Sequence, residues 1–182
     1  MKNKAILLLL PGLIFGLAAG YLIFLSGKDN RPASQSPAQQ APSRGLPFAE
    51  FSLASLDDEV VRTSDLRGKA AIINFWATWC VPCQDEMPLL QNVADQYPDQ
   101  LTVVGIDAGE GPDTVRAFLD QFGISFTILL DKDNQAQELY RVYGFPTTFF
   151  LDADGVLQAQ HIGVLDEESM GKYLDQLGVD HD

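Results

Sequence analysis

The 182-residue chain holds only two cysteines, Cys80 and Cys83, within Trp76-Ala77-Thr78-Trp79-Cys80-Val81-Pro82-Cys83. An apolar run, Ala70-Ala71-Ile72-Ile73-Asn74-Phe75, precedes them and reads as a buried strand, and a helical pattern follows. With Cys80 at the start of that helix and Cys83 one turn in, the two side chains share a face, and their sulfurs can bond without moving the backbone. Unpaired N–H groups and the positive end of the helix dipole stabilise a thiolate on Cys80. Such settings lower a cysteine pKa from about 8.5 to roughly 3.5–7.5. Cys80 is therefore the expected nucleophile, and Cys83, lying deeper, the thiol that resolves a mixed disulfide. Pro82 fits, because proline is tolerated in a first helical turn.

Other uses of the pair fit less well. A structural zinc site takes about four ligands, and the only histidines, His161 and His181, are not at zinc-finger spacing. No resident metal or cofactor is expected. A purely structural disulfide across so short a loop would constrain the unfolded chain little. Two thiols with a histidine could hold Cu(I), which leaves a copper-handling module as an alternative.

Around this pair the pattern sets out an α/β domain. Phe48–Leu53 and Val60–Thr63 read as a leading hairpin about Asp57-Asp58-Glu59, with a turn at Ser64–Gly68. After the Ala70–Phe75 strand come a helix over Cys80–Tyr97, a strand over Leu101–Asp107 and a helix from Gly111-Pro112-Asp113 to about Phe122. Phe126–Leu130 reads as a strand and Gln135–Tyr143 as a helix. Thr147–Leu151 and Val156–Ile162 form a hairpin about Asp152-Ala153-Asp154-Gly155, and Asp166–Leu177 is the last helix. Strands alternating with helices and ending in a hairpin give a mixed sheet.

Ala5–Leu25 carries no charge. As a helix it spans roughly 30 Å, the thickness of a bilayer's hydrocarbon core. Residues 1–25 are read as an uncleaved membrane anchor. A cleaved signal peptide is the alternative, with small residues at Leu17-Ala18-Ala19-Gly20. No cysteine near the N-terminus is available for lipidation. Residues 26–45, rich in Ser, Pro, Gln and Ala, form an extended linker that cannot bury a core. Residues 46–182 are long enough for one domain with a real core.

Residues 1–45 hold five of the 12 Lys/Arg and one of the 25 Asp/Glu, so residues 46–182 carry seven bases against 24 acids, a net of −17. Nucleic acid is a poor partner for that surface.

Three stretches carry a resemblance: Asp65-Leu66-Arg67-Gly68-Lys69, Asn74 through Cys83, and Gly144-Phe145-Pro146-Thr147-Thr148-Phe149. Together they resemble the thioredoxin superfamily, and within it the membrane-anchored TlpA/ResA-like thiol–disulfide oxidoreductases, over Leu46–Leu177. The resemblance implies a thioredoxin-like fold: a central mixed sheet flanked by helices, an N-terminal hairpin, and a helix–strand insertion between Asp107 and the helix before Pro146. It implies a redox-active Cys80–Cys83 disulfide and a cis Phe145–Pro146 peptide packed against it. Trp79 and Phe145 would border a substrate segment, the latter through its backbone.

Thioredoxin carries a buried aspartate where this chain has Asn74, which cannot titrate. By resemblance, Glu110 takes over proton exchange with Cys83 and has a raised pKa. The peroxiredoxin pattern Pro-X-X-X-Thr-X-X-Cys is absent around both cysteines. The implied function is an extracytoplasmic protein-disulfide reductase acting on substrates such as the haem-attachment cysteines of apocytochrome c. A membrane thiol carrier of the DsbD/CcdA type would re-reduce it. A thiol oxidant that introduces disulfides uses the same residues in the opposite direction.

Overall fold

The structure, a computed structural model, describes residues 42–180. The expected anchor, almost all of the expected linker and His181 lie outside the described residues. No helix among those described is long and apolar enough to cross a membrane.

Seven strands form one mixed sheet: β1 (Ser52–Ser55), β2 (Val60–Arg62), β3 (Ala70–Trp76), β4 (Leu101–Ala108), β5 (Thr127–Asp131), β6 (Thr147–Leu151) and β7 (Leu157–Ile162), in the spatial order β2-β1-β5-β4-β3-β6-β7. The helices are α1 (Val81–Gln96), α2 (Pro112–Phe122), α3 (Gln135–Leu139) and α4 (Glu167–Leu177), and a 3-10 turn covers Thr63–Leu66. β3 is buried along its whole length, paired in parallel with β4 and antiparallel with β6. This is why it reads as a continuous apolar run rather than an alternating one. β3, β4 and β5 run parallel and end together, Trp76 opposite Asp107 and Ala108 opposite Asp131. The expected insertion is α2 and β5, with β5 lying between β4 and the leading hairpin.

Because β3, β4 and β5 step in one direction across the sheet, right-handed crossovers put α1 and α2 on the same face. Ile72, Trp76, Met87, Leu90, Val115, Phe118, Met170 and Leu174 pack there, under α1, α2 and α4, with both cysteines. The opposite face is covered by α3 and the segment before β1. Its core is aromatic: Phe48 stacks on Tyr140 at 4.1 Å between ring centroids, with Phe51, Phe75 and Phe149 edge-on or tilted around them.

Two elements differ from expectation. The first strand begins at Ser52 rather than Phe48, because Phe48 and Phe51 turn into the aromatic cluster and the Phe51 N–H donates to Thr63 Oγ1 (2.9 Å) instead of a ladder partner. α3 stops at Leu139 rather than Tyr143, since Tyr140 is drawn into the same cluster and Arg141 adopts φ 54°. A non-glycine residue in that left-handed region ends a helix. The domain also starts slightly before Leu46: the Gly45 N–H donates to Leu157 O (2.8 Å).

Candidate active site

Cys80 is the N-cap of α1, with an extended backbone at φ −81° and ψ 98°, and Pro82 falls in the first turn. The pair is joined by a disulfide with Cα atoms 5.2 Å apart. Both cysteines are buried, Cys83 fully and Cys80 to 5% exposure, so Cys80 is the nearer of the two to solvent. The Cys83 N–H donates to Cys80 Sγ at 3.2 Å. When the bond opens, that donor and the helix terminus favour a thiolate on Cys80.

Trp79 (65% exposed) and Val81 (64%) flank Cys80. The Phe145–Pro146 peptide is cis. The Phe145 ring stands edge-on to Trp79, with centroids 5.8 Å apart, and the Gly163 N–H donates to Pro146 O at 2.9 Å, tying this turn to the end of β7. Exposed Ile162 and Val164 continue the apolar rim. A groove of about 560 Å³ between the leading hairpin and α2, lined by Leu56, Arg116 and Phe126, includes none of these residues. The sulfur pair opens onto a surface, which suits an extended segment better than an enclosed small molecule.

Behind Cys83 lies a polar network that sequence reasoning missed. Asn74 on β3 donates through Nδ2 to Glu86 Oε1 (2.7 Å) and to Thr148 Oγ1 (2.9 Å), and the Leu165 N–H donates to Glu86 Oε2 (2.8 Å). Glu86 follows Cys83 by three residues on the buried side of α1 and is 1% exposed. Burial pushes its pKa up to about 7, against the lowering effect of the Leu165 and Asn74 hydrogen bonds. A buried titratable group thus lies one turn along α1 from the resolving thiol, a glutamate that faces Asn74. The available signal was a glutamate on the apolar stripe that also holds Cys83, Met87, Leu90 and Val93.

Glu110 lies in the loop after β4. Its carboxylate takes both hydrogen-bond donors of Thr78, the N–H at Oε2 and the hydroxyl at Oε1, each at 2.6 Å. The Glu110 N–H donates to Asp107 Oδ1 at 3.0 Å. Asp107 is fully buried, and its pKa is pushed up to about 8, first by burial and then by neighbouring Glu110. Burial thus raises two acids near the pair, Glu86 and Asp107. His161 bonds Tyr173 Oη and Val164 O, both at 3.2 Å, as a strand residue. No group of three or more His, Cys, Asp or Glu that could hold a metal occurs among the described residues.

The AhpC/TSA family model matches residues 44–160. The thioredoxin-like protein YneN of Bacillus subtilis is 39% identical over 164 residues, covering 87% of this chain and 96% of that protein. The thiol-disulfide oxidoreductase ResA of the same organism is 31% identical over 180 residues, covering 96% and 94%. The crystal structure of a putative thiol:disulfide interchange protein DsbE from Chlorobium tepidum superposes with a TM-score of 0.70 at 29% identity, covering 76% of this chain and all of that one.

Proposed function

Since the chain belongs to the AhpC/TSA family and, within it, to the ResA-like thiol–disulfide oxidoreductases, we propose that it reduces disulfides of extracytoplasmic proteins from a membrane-tethered position. Apocytochrome c haem-attachment cysteines are the substrate that the family resemblance favours, and a DsbD/CcdA-type membrane thiol carrier is the favoured electron donor. The uncharged stretch Ala5–Leu25 supports the tether.

The observation that carries the reading is the asymmetry of the pair: Cys80 is the helix N-cap and nearer solvent, while Cys83 is fully buried one turn before buried Glu86. In the reduced protein, the Cys80 thiolate attacks a substrate sulfur. The substrate disulfide breaks, its other sulfur leaves as a thiolate, and a mixed disulfide forms. Cys83 then loses its proton and attacks Cys80 Sγ. The Cys80–Cys83 bond forms, the substrate departs as a dithiol, and two electrons have moved from protein to substrate. Glu86, one turn beyond Cys83 and with a pKa near 7, is the group suited to accept the Cys83 proton. Trp79, Phe145 and Pro146 form the rim against which an extended substrate segment would lie.

Equilibration of the full chain with dithiothreitol or glutathione buffers, with free thiols trapped, tests the direction. A reductant is expected near thioredoxin's potential, about −270 mV; a value near DsbA's, about −120 mV, would make the protein an oxidant instead. Cys83→Ser should stop turnover yet accumulate the mixed disulfide on Cys80. No trapped adduct with any protein disulfide would sink the exchange mechanism.

A further inference from the structure

We propose that Glu110 is a positioning residue, which fixes the segment presenting Trp79 and Cys80 by holding Thr78, rather than a proton partner of Cys83. The inference rests on the exchange reaction above and concerns how its nucleophile is presented. All three polar groups of Thr78 outside its own side-chain lone pairs are engaged: the N–H and hydroxyl bind the two oxygens of Glu110, and the carbonyl accepts from Gln84 Nε2 at 2.8 Å. Thr78 is thereby strapped to the loop after β4 on one side and to the first turn of α1 on the other. The next residue, Trp79, is largely exposed, and the one after is Cys80.

Glu110 is itself anchored, because its N–H donates to Asp107 Oδ1 at the buried end of β4, in register with Trp76 at the end of β3. The strap thus ties the ends of the two central parallel strands across the loop that delivers the nucleophile. Both Glu110 oxygens accept from Thr78, so the whole carboxylate is turned toward the segment that precedes Cys80. The acids that face Asp107, Glu110 and Asp131, offer it no cation, and burial pushes Asp107 toward its protonated form. Glu110 is left as the acceptor for Thr78.

The test uses the full chain carrying Thr78→Val, Glu110→Gln, both together, and Thr78→Ser. It measures the alkylation rate of reduced Cys80 and Cys83 against pH and the kcat/KM for a protein disulfide. The expected result is that Thr78→Val and Glu110→Gln each lower kcat/KM about tenfold, the scale of one lost charge-assisted hydrogen bond. The double variant should be no worse than the poorer single, Thr78→Ser should retain the parent rate, and the pH profile of Cys83 should not move. If Glu110→Gln shifts the Cys83 profile while Thr78→Val does not, and their effects multiply, Glu110 is a proton partner and the positioning role is overturned. Should Glu110→Gln fail to fold, Thr78→Val against Thr78→Ser carries the comparison, and equal rates for those two overturn it. Cys80 alkylation needs no protein substrate. A parent protein that exchanges with no protein disulfide would refute the proposed function, while the alkylation rates would still decide the strap.

Discussion

The two faces of the central sheet treat buried polar atoms differently. On the face away from the thiols, each buried polar side chain fastens backbone: Thr63 bonds the Phe51 N–H and Ala49 O, Asp131 accepts from the Ala136 and Gln137 N–H groups at the start of α3, and Thr147 Oγ1 donates to Gly144 O. On the thiol face lie Asn74, Glu86, Asp107 and Thr148, and with them three buried atoms without a partner among the described residues: Asn74 Oδ1, Trp76 Nε1 and Asp107 Oδ2. An unsatisfied buried polar atom costs about 1–3 kcal/mol. Both faces offset such costs with close ring packing, Phe48 on Tyr140 on one side and Phe150 on Tyr173 on the other, but the thiol face alone joins burial-raised carboxyls to these unpartnered atoms. Reactive groups are thus gathered on one side of a sheet that is packed on both.

The strongest way to break this division is Phe149→Ala on the aromatic face. It removes a fully buried ring packed against Phe48, Phe75 and Tyr140. Denaturant melts should show a loss of about 3–5 kcal/mol, and the exchange rate of the molecules still folded should be unchanged. A large fall in that rate would show that the two faces are not separable.

The pH dependence of stability tests the thiol face. Glu86 titrates at 4.5 in an ordinary setting and at about 7 in the fold. Below pH 4.5 it is protonated in both states and has no effect. As pH rises from 4.5 to 7 the unfolded chain releases the proton while the folded protein holds it, so stability falls and then levels off. That fall is on the order of 3 kcal/mol, and Asp107 extends the trend toward pH 8. In Glu86→Gln, stability measured between pH 4 and 7 should flatten, with the gain appearing at the neutral end. An unchanged slope would remove Glu86 as its source.

The smallest effect is expected from Tyr140→Phe, which deletes only the hydroxyl that donates to Ala49 O. A loss of about 1 kcal/mol in thermal or denaturant melts, with full exchange activity, would sharpen the contrast. A loss as large as that of Phe149→Ala would mean that this face depends on the Tyr140 hydroxyl as much as on ring packing.

Much of this was legible in the chain itself. Local spacing alone places Cys80 and Cys83 one helical turn apart, and the unbroken apolar run before them marks a strand covered on both sides. Gly111-Pro112 and Asp166 announce the starts of α2 and α4, and Gly123 and Gly178, at φ 66° and 70°, their ends. Each of these signals acts over a few residues, so sequence suffices. The early stop of α3 was not legible, because Tyr140 is pulled toward Phe48 and Phe149, residues far from it in the chain. Asn74 was recognised as unable to titrate, but its partner Glu86 reads locally as one more polar residue on a helix. Only tertiary packing buries that carboxylate against β3, β6 and Leu165, and burial, not residue type, raises its pKa. The same holds for Glu110: its position after β4 is a matter of sequence, whereas its hold on Thr78 exists only because two parallel strands end side by side.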